Sequence, residues 1–171
     1  NRMAFTIFFA TSTGKTEDVA DRLKELLPGT EAKDVDSIGG VDDLTSAEAL
    51  ICCVPTWNTG ADEARSGTAW DDLVQEIPDQ DFAGKPVAIL GLGDSSGYSD
   101  FFCDAMEELH SAFVSAGAKV IGKTATDGYT YDDSKSVIDG KFCGLPLDED
   151  NESELTDQRL NAWIQQIQSE A

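Results

Sequence analysis

An α/β chain built on a doubly wound parallel sheet is the fold class this sequence predicts, and three observations carry that prediction. Near-continuous apolar runs of strand length recur at residues 4–9, 49–54 and 87–90, the pattern of parallel strands buried on both faces rather than half-exposed antiparallel ones. Stretches of helical period lie between them, so strand and helix alternate along the chain. Each of the three runs gives way to a loop rich in Gly, Ser, Thr, Asn or Asp, at the strand end where such a sheet binds its ligands.

The first strand is Ala4-Phe5-Thr6-Ile7-Phe8-Phe9. A helix is expected to start near Thr16, with Val19, Leu23, Leu26 and Leu27 on one stripe. Residues 30–35 make a weaker run, expected as an edge strand, and 49–54 form the next buried strand. Trp70, Leu73, Val74 and Ile77 mark a shorter helix stopped by Pro78. After the strand at 87–90, a helix carries Ala105, Met106, Leu109, Phe113 and Val114 on its apolar face, and residues 119–122 suit a second edge strand. Residues 124–139 break the rhythm. They are rich in Asp, Gly, Ser, Thr and Tyr without helical period, which reads as an insertion or functional loop. Acidic residues 148–154 read as a solvated connection to a last helix, with Thr156 as its N-cap and Leu160, Trp163, Ile164 and Ile167 as its buried face. No repeat or linker divides the chain, so a single domain over residues 1–171 is expected.

With 12 Lys and Arg against 33 Asp and Glu, the 171 residues carry a formal charge of −21. That excess argues against binding nucleic acid through its backbone, which needs a basic patch, and against anionic membrane surfaces. It favours solubility and attraction to basic partners. No apolar run approaches the ~20 residues of a spanning helix. Asn1-Arg2-Met3 leads straight into the first strand with no secretory leader, and a start at Asn is compatible with a removed targeting segment. Cys52, Cys53, Cys103 and Cys143 show no metal-ligand spacing. Cys52 and Cys53, adjacent in a strand, point to opposite faces, so buried free thiols in a reducing compartment are expected.

The chemistry should sit after the three strong strands. Thr11-Ser12-Thr13-Gly14-Lys15-Thr16 opens directly into a helix, where hydroxyls, backbone N–H groups and a positive dipole end can cradle an anion; an ordinary N-cap cluster is the plainer reading of this loop alone. Lys15 is its only cation and either joins that cradle or simply points to solvent. Gly14-Lys15-Thr16 is not a P-loop, because Phe9 stands where that motif needs glycine. Pro55-Thr56-Trp57-Asn58-Thr59-Gly60 places a large aromatic beyond a buried strand, as a stacking wall for a planar ligand or as a packed surface tryptophan. Gly91-Leu92-Gly93-Asp94-Ser95-Ser96-Gly97 fails the dinucleotide spacing. His110, the one histidine, follows Asp94-Ser95 in the wrong order for a trypsin-like triad and reads as a helix-face residue. Asn151-Glu152-Ser153 is a chance sequon match.

Taken together, the three loops resemble flavodoxin, of the long-chain type found in cyanobacteria and algae. Residues 11–16 resemble the family's T-x-T-G-x-T phosphate loop, residues 55–60 its second flavin loop, and Gly93-Asp94 through Tyr98-Ser99-Asp100 its third. The resemblance implies a three-layer α/β/α fold with a five-stranded parallel sheet in order 2-1-3-4-5, its long-chain insertion in the fifth-strand region. It implies noncovalent FMN, with the first loop on the phosphate and Trp57 and Tyr98 on the two ring faces. Backbone around Thr59-Gly60 and residues 93–100 would reach the ring edge, and a peptide turnover would fall at Asn58-Thr59. Phe101 stands where the family often has Asn, so only a backbone role carries over to it. The implied function is a low-potential one-electron carrier, not an enzyme, cycling between semiquinone and hydroquinone in place of ferredoxin. Implied partners are ferredoxin–NADP⁺ reductase and photosystem I, in a chloroplast stroma if algal and otherwise in the cytoplasm, with the chain a monomer. An acidic rim is expected from Asp62, Glu63, Asp71, Asp72, Asp94, Asp100, Asp104, Glu107 and Glu108. An FMN-dependent NAD(P)H:quinone reductase on the same scaffold is the alternative reading.

Overall fold

In the computed structural model, which describes residues 3–11 and 13–171, the first apolar run becomes strand β1 (Phe5–Phe9) and feeds helix α1 (Lys15–Leu26). The chain continues through β2 (Glu31–Asp34), a short α2 (Val41–Thr45), β3 (Ala49–Pro55), α3 (Trp70–Glu76), β4 (Pro86–Leu92), α4 (Ala105–Ser115) and β5 (Lys119–Ile121). Next come β6 (Thr124–Ala125), β7 (Val137–Ile138), β8 (Lys141–Phe142), β9 (Leu145–Leu147) and α5 (Thr156–Glu170). The strands β2-β1-β3-β4-β5 lie in that order, all parallel, as the resemblance implies. Strand order reverses between β1 and β3, and that reversal opens a crevice at the carboxyl ends of these strands.

Every residue of β3 and β4 is buried, because helices cover both faces. Alternate side chains serve two cores. Phe8, Leu50, Cys52, Val54, Val87 and Ile89 join Trp70, Leu73, Met106, Leu109 and Phe113 on one side. Ile7, Phe9, Ile51, Cys53, Ala88 and Leu90 join Val19, Leu23, Leu160, Trp163 and Ile167 on the other. Cys52 and Cys53 thus belong to opposite cores, and all four cysteines are buried and free. Burial pushes the Cys143 thiol up to about 12, which keeps it protonated and unreactive. Among the described residues, no helix is long and apolar enough to cross a membrane.

Four expectations about the elements need correction. Leu26 and Val114 are exposed, at 37% and 51%, while their neighbours Leu27 and Phe113 are buried, so each lies off the face its helix turns to the core. Thr156 is the first residue of α5 and not its cap, since its hydroxyl donates to Glu149 Oε2 at 2.8 Å. The helix α2, which buries only Leu44, is too short for a readable period. Finally, the segment at 124–139 is neither structureless nor bounded there. Strand β5 pairs with Pro86, Val87 and Ala88, and β9 pairs with Leu90, Gly91 and Leu92. The fifth strand is therefore split, and residues 122–144 leave the sheet between its halves to form an antiparallel β6-β8-β7 sheet.

Gly144 is where this excursion rejoins the main sheet. A Cβ there would lie 2.0 Å from the Ile89 carbonyl oxygen and 2.8 Å from its carbon, and only backbone movement would relieve it. Gly144→Ala is expected to destabilise the fold by about 3 kcal/mol, lowering Tm by about 6–12 °C. Thermal denaturation checks this; an unchanged Tm would show that the chain does not close against β4 at this point.

Candidate functional site

The loops that follow β1, β3 and β4 converge on one cleft of about 220 Å³. The first loop contributes Thr13, Lys15 and Thr16, the second Pro55, Thr56, Trp57 and Thr59, and the third Leu92, Gly93, Asp94, Tyr98 and Phe101. Glu149 and Asp150, between β9 and α5, complete the wall. Ser12 lies outside the described residues. Thr11, Gly14, Asn58, Gly60 and Asp100 do not line the cleft; the first four shape its loops, and Asp100 is exposed beside it.

In the first loop, Gly14 takes a left-handed φ of +92° and its N–H donates to Thr11 Oγ1 at 2.8 Å. This turn delivers Lys15 and Thr16 as the first residues of α1, whose amino end receives no side-chain cap among the described residues. The first-turn N–H groups of an uncapped helix need acceptors, and together they form a positive end. Lys15 does not simply point to solvent. It pairs with Asp150 across the cleft, and that hydrogen bond raises its pKa above the usual lysine value.

The second loop leaves Trp57 48% exposed, although its backbone is tightly held. The N–H groups of Trp57 and Asn58 both donate to the Arg65 carbonyl, at 3.1 and 2.9 Å. Asn58 Nδ2 donates to the Ala64 carbonyl at 2.6 Å, so this side chain braces the loop. Thr56 Oγ1 accepts the Ala105 N–H at 3.0 Å, tying the loop to the start of α4. Gly60 has φ +80°, and the Phe101 ring lies 3.4 Å from where its Cβ would be. Phe101 therefore contributes its side chain, not only its backbone, both to the cleft wall and as packing for Gly60.

Tyr98 is 53% exposed at the tip of the third loop, which is built around carboxylates. Asp94 accepts N–H groups from Ser96 and Gly97 at 3.1 and 2.8 Å, and Asn151 Nδ2 at 2.7 Å. These bonds, the Gly97 N–H foremost, hold its carboxyl below the usual range. Gly91 and Gly93 serve packing: a Cβ on either would strike Met106 Cγ at 2.4 Å or the Cys103 N at 2.8 Å. That explains a G-x-G here without a dinucleotide. Residues 148–154 are not merely a solvated connection. Asp148 is fully buried and accepts the Ser95 N–H at 3.1 Å, the Ser95 hydroxyl and the Asn151 N–H at 3.0 Å.

The expected acidic rim is also thinner than its composition. Asp104 is buried, with Oδ2 lacking a partner among the described residues. Glu107 and Glu108 engage Arg65, and Asp71 accepts from Ser66 and Gly67. Asp62, Glu63, Asp72 and Asp100 remain exposed. His110 sits half-buried on α4, where burial and Lys123 hold its pKa below the usual value. The residues that sequence reasoning missed lie at the carboxyl ends of strands: Leu92 is the last residue of β4, and Glu149 and Asp150 follow β9. Reading the apolar Leu145-Pro146-Leu147 as a strand would have placed Glu149 and Asp150 at its carboxyl end, beside the other loops.

The comparisons agree with this geometry. The flavodoxin family model matches residues 7–163. The flavodoxin of Nostoc sp. (strain PCC 7120) is 43% identical over 166 residues, covering 96% of this chain and 95% of that protein. Flavodoxin 1 of Escherichia coli (strain K12) is 38% identical over 172 residues, covering 98% and 95%. The crystal structure of Fusobacterium nucleatum flavodoxin bound to flavin mononucleotide superposes with a TM-score of 0.89 at 35% identity, over 98% of each chain. A family match from the first strand into the last helix, with relatives this similar over nearly their whole length, means that the chain belongs to the flavodoxin family.

Proposed function

We infer that the chain is an electron carrier working with noncovalently bound flavin mononucleotide, its 171 residues acting as one long-chain flavodoxin domain. One observation carries this reading: a single cleft joins an uncapped helix end, flanked by hydroxyls and an ammonium, to two half-exposed aromatic rings. The donor set suits a phosphate at one end and a planar ring at the other. Bound flavin would supply the one-electron redox chemistry. Thr13, Lys15, Thr16 and the first-turn N–H groups of α1 would hold the phosphate, joined by Ser12 on the strength of the sequence resemblance. Trp57 and Tyr98 would cover the ring faces.

The charge of the chain then acts on the electron. Of the carboxylates lining the cleft, Asp150 and Glu149 pair with Lys15 and Arg22, and Asp94 has no cationic partner among the described residues; an unpaired carboxylate ~10 Å from an added negative charge costs it ~0.4 kcal/mol in water and several-fold more at lower effective dielectric. Such charges lower the potential for the last electron, with about 59 mV per tenfold in a one-electron equilibrium. As a flavodoxin, the chain exchanges electrons with other redox proteins. Ferredoxin–NADP⁺ reductase and photosystem I are the partners we propose, supported by the cyanobacterial relatives and by the exposed Asp62, Glu63, Asp72 and Asp100. A reducing compartment, cytoplasm or stroma, fits its four free buried thiols.

Three measurements test these statements. Reductive titration of the flavin-loaded protein should resolve two one-electron steps; a single two-electron step, or steady NAD(P)H oxidation by the chain alone, would overturn the carrier reading. Trp57→Ala and Tyr98→Ala should each weaken flavin mononucleotide binding by about tenfold while leaving the Tm of the cofactor-free chain nearly unchanged, since both rings are half exposed. Affinity unchanged from that of the unaltered chain in both variants would show that neither ring stacks. Reduction by a basic partner should slow several-fold as salt rises towards ~0.15 M, and rates flat across salt would remove the acidic docking surface.

A further inference from the structure

Residues 61–66 form an irregular loop between β3 and α3 in which only Arg65 and Ser66 are buried. A loop with so little apolar burial needs another reason to be fixed, and Arg65 supplies it. Its side chain, 9% exposed, donates from Nε to the Ala61 carbonyl at 3.2 Å and from Nη2 to the Asp62 carbonyl at 3.2 Å. Its Nη1 donates to the Asp104 carbonyl at 3.1 Å and to Glu107 Oε1 at 2.9 Å. Two of these acceptors belong to the loop itself, one to the residue just before α4 and one to α4. Glu108, also on α4, takes the Arg65 N–H on Oε1 at 2.7 Å and the Ala64 N–H on Oε2 at 3.0 Å. Ala64 is held there at a left-handed φ of +53°, which costs energy for a residue with a Cβ. The next peptide is equally committed, because the Arg65 carbonyl receives the N–H groups of both Trp57 and Asn58.

The Trp57–Asn58 backbone of the ring-side loop therefore hangs from the Ala64–Arg65 segment, and that segment is bolted to α4 by a buried guanidinium and a two-oxygen carboxylate. We propose that Arg65 and Glu108 are positioning residues for the cofactor: they fix the Trp57–Asn58 backbone and so set how the second loop meets the ring, without touching it. This rests on the flavin reading above. Buried ion pairs are seldom the most stabilising solution for a core, whereas the guanidinium fork fixes several carbonyls in one geometry. A device of this kind should act on the ring end of the cleft and leave the helix α1 end alone.

The test compares the unaltered chain with Glu108→Gln, Arg65→Met and Arg65→Lys, each free of cofactor. Glu108→Gln keeps shape but turns an amide N–H₂ towards a backbone N–H. The probes are flavin mononucleotide and inorganic phosphate, with amide hydrogen exchange at Trp57 and Asn58 as the readout independent of cofactor. In Glu108→Gln and Arg65→Met, flavin mononucleotide binding is expected to weaken by about tenfold, with faster exchange at both amides and phosphate affinity unchanged. Arg65→Lys should not rescue, since one ammonium cannot span four acceptors. Unchanged flavin affinity in folded Glu108→Gln, parallel loss of phosphate affinity, or full recovery in Arg65→Lys would each overturn the proposal. Should Arg65→Met fail to fold, Glu108→Gln decides. An unaltered chain that binds neither probe would sink the flavin reading instead, and the exchange rates would still test the clip.

Discussion

A chain with 33 acidic residues against 12 basic ones repels any anion at long range, so an anion-binding end of its cleft has to be made from short-range donors. Among the described residues, Lys15 is the one cation lining the cleft, and it is already shared with Asp150. What remains is neutral: threonine hydroxyls and the N–H groups at the start of α1, whose partial charges are fixed by the backbone and carry no net charge. In the proposed reading, phosphate binding would fall to a strand-to-helix turn. The left-handed Gly14 that makes that turn matters more than any basic side chain. A parallel strand delivering a helix amino end to the crevice is what the doubly wound sheet provides, and the acidity of the chain makes that provision indispensable.

The same scarcity shapes the loops. Several carboxylates that seemed destined for solvent accept backbone N–H groups inside irregular segments: Asp94 from Ser96 and Gly97, Asp148 from Ser95 and Asn151, Glu108 from Ala64 and Arg65, Asp71 from Ser66 and Gly67. A carboxylate offers two oxygens and no donor, so it satisfies the unpaired N–H groups that tight loops leave behind, and charged acceptors make the stronger bonds. Basic residues then act as clips rather than as surface charge. Arg65 gathers α4 and the second loop, Arg159 joins Glu152 to the Gly128 carbonyl, and Arg22 reaches Glu149 and Asp157. Part of the −21 is thus structural, and the exposed rim is smaller than composition suggests.

That division explains what could be read in the sequence. Strands β1, β3 and β4 were legible because burial on both faces leaves an uninterrupted apolar run, and α1, α4 and α5 because each buries one stripe. The three loops were legible because the chemistry they carry needs Gly, Thr and aromatic residues at fixed offsets from strand ends. Asp148, Glu108 and Arg65 were not, since a side chain accepting from or donating to a backbone group 40 or 50 positions away leaves no period and no spacing. The α2 turn and the two-residue strands of the excursion escaped for a related reason: at that length, tertiary contacts and not local pattern decide conformation. Leu26 and Val114 show the converse, apolar residues placed on a stripe by period but left exposed while Leu27 and Phe113 beside them are buried.

The excursion between β5 and β9 ties these themes together. It leaves the sheet where β4 needs only two short partners, and it packs Tyr129, Tyr131 and Phe142 around Phe102, with the Phe102 and Tyr131 rings 5.5 Å apart. From there it reaches the third loop by hydrogen bonds: Asp132 and Asp133 N–H to the Ser99 carbonyl, Ser134 and Ser136 hydroxyls to the Phe102 and Cys103 carbonyls, Lys135 N–H to Asp104. Cys103 needs such support, being a non-glycine residue at φ +53°. A segment that looked like an ornament on the edge of the sheet is therefore a second brace on the cleft. It holds the loop of Tyr98 and Phe101 from one side of α4, while Arg65 and Glu108 hold the loop of Trp57 from the other. Both aromatic side chains can then stay exposed while their loops are held from behind, one by the excursion and the other by α4.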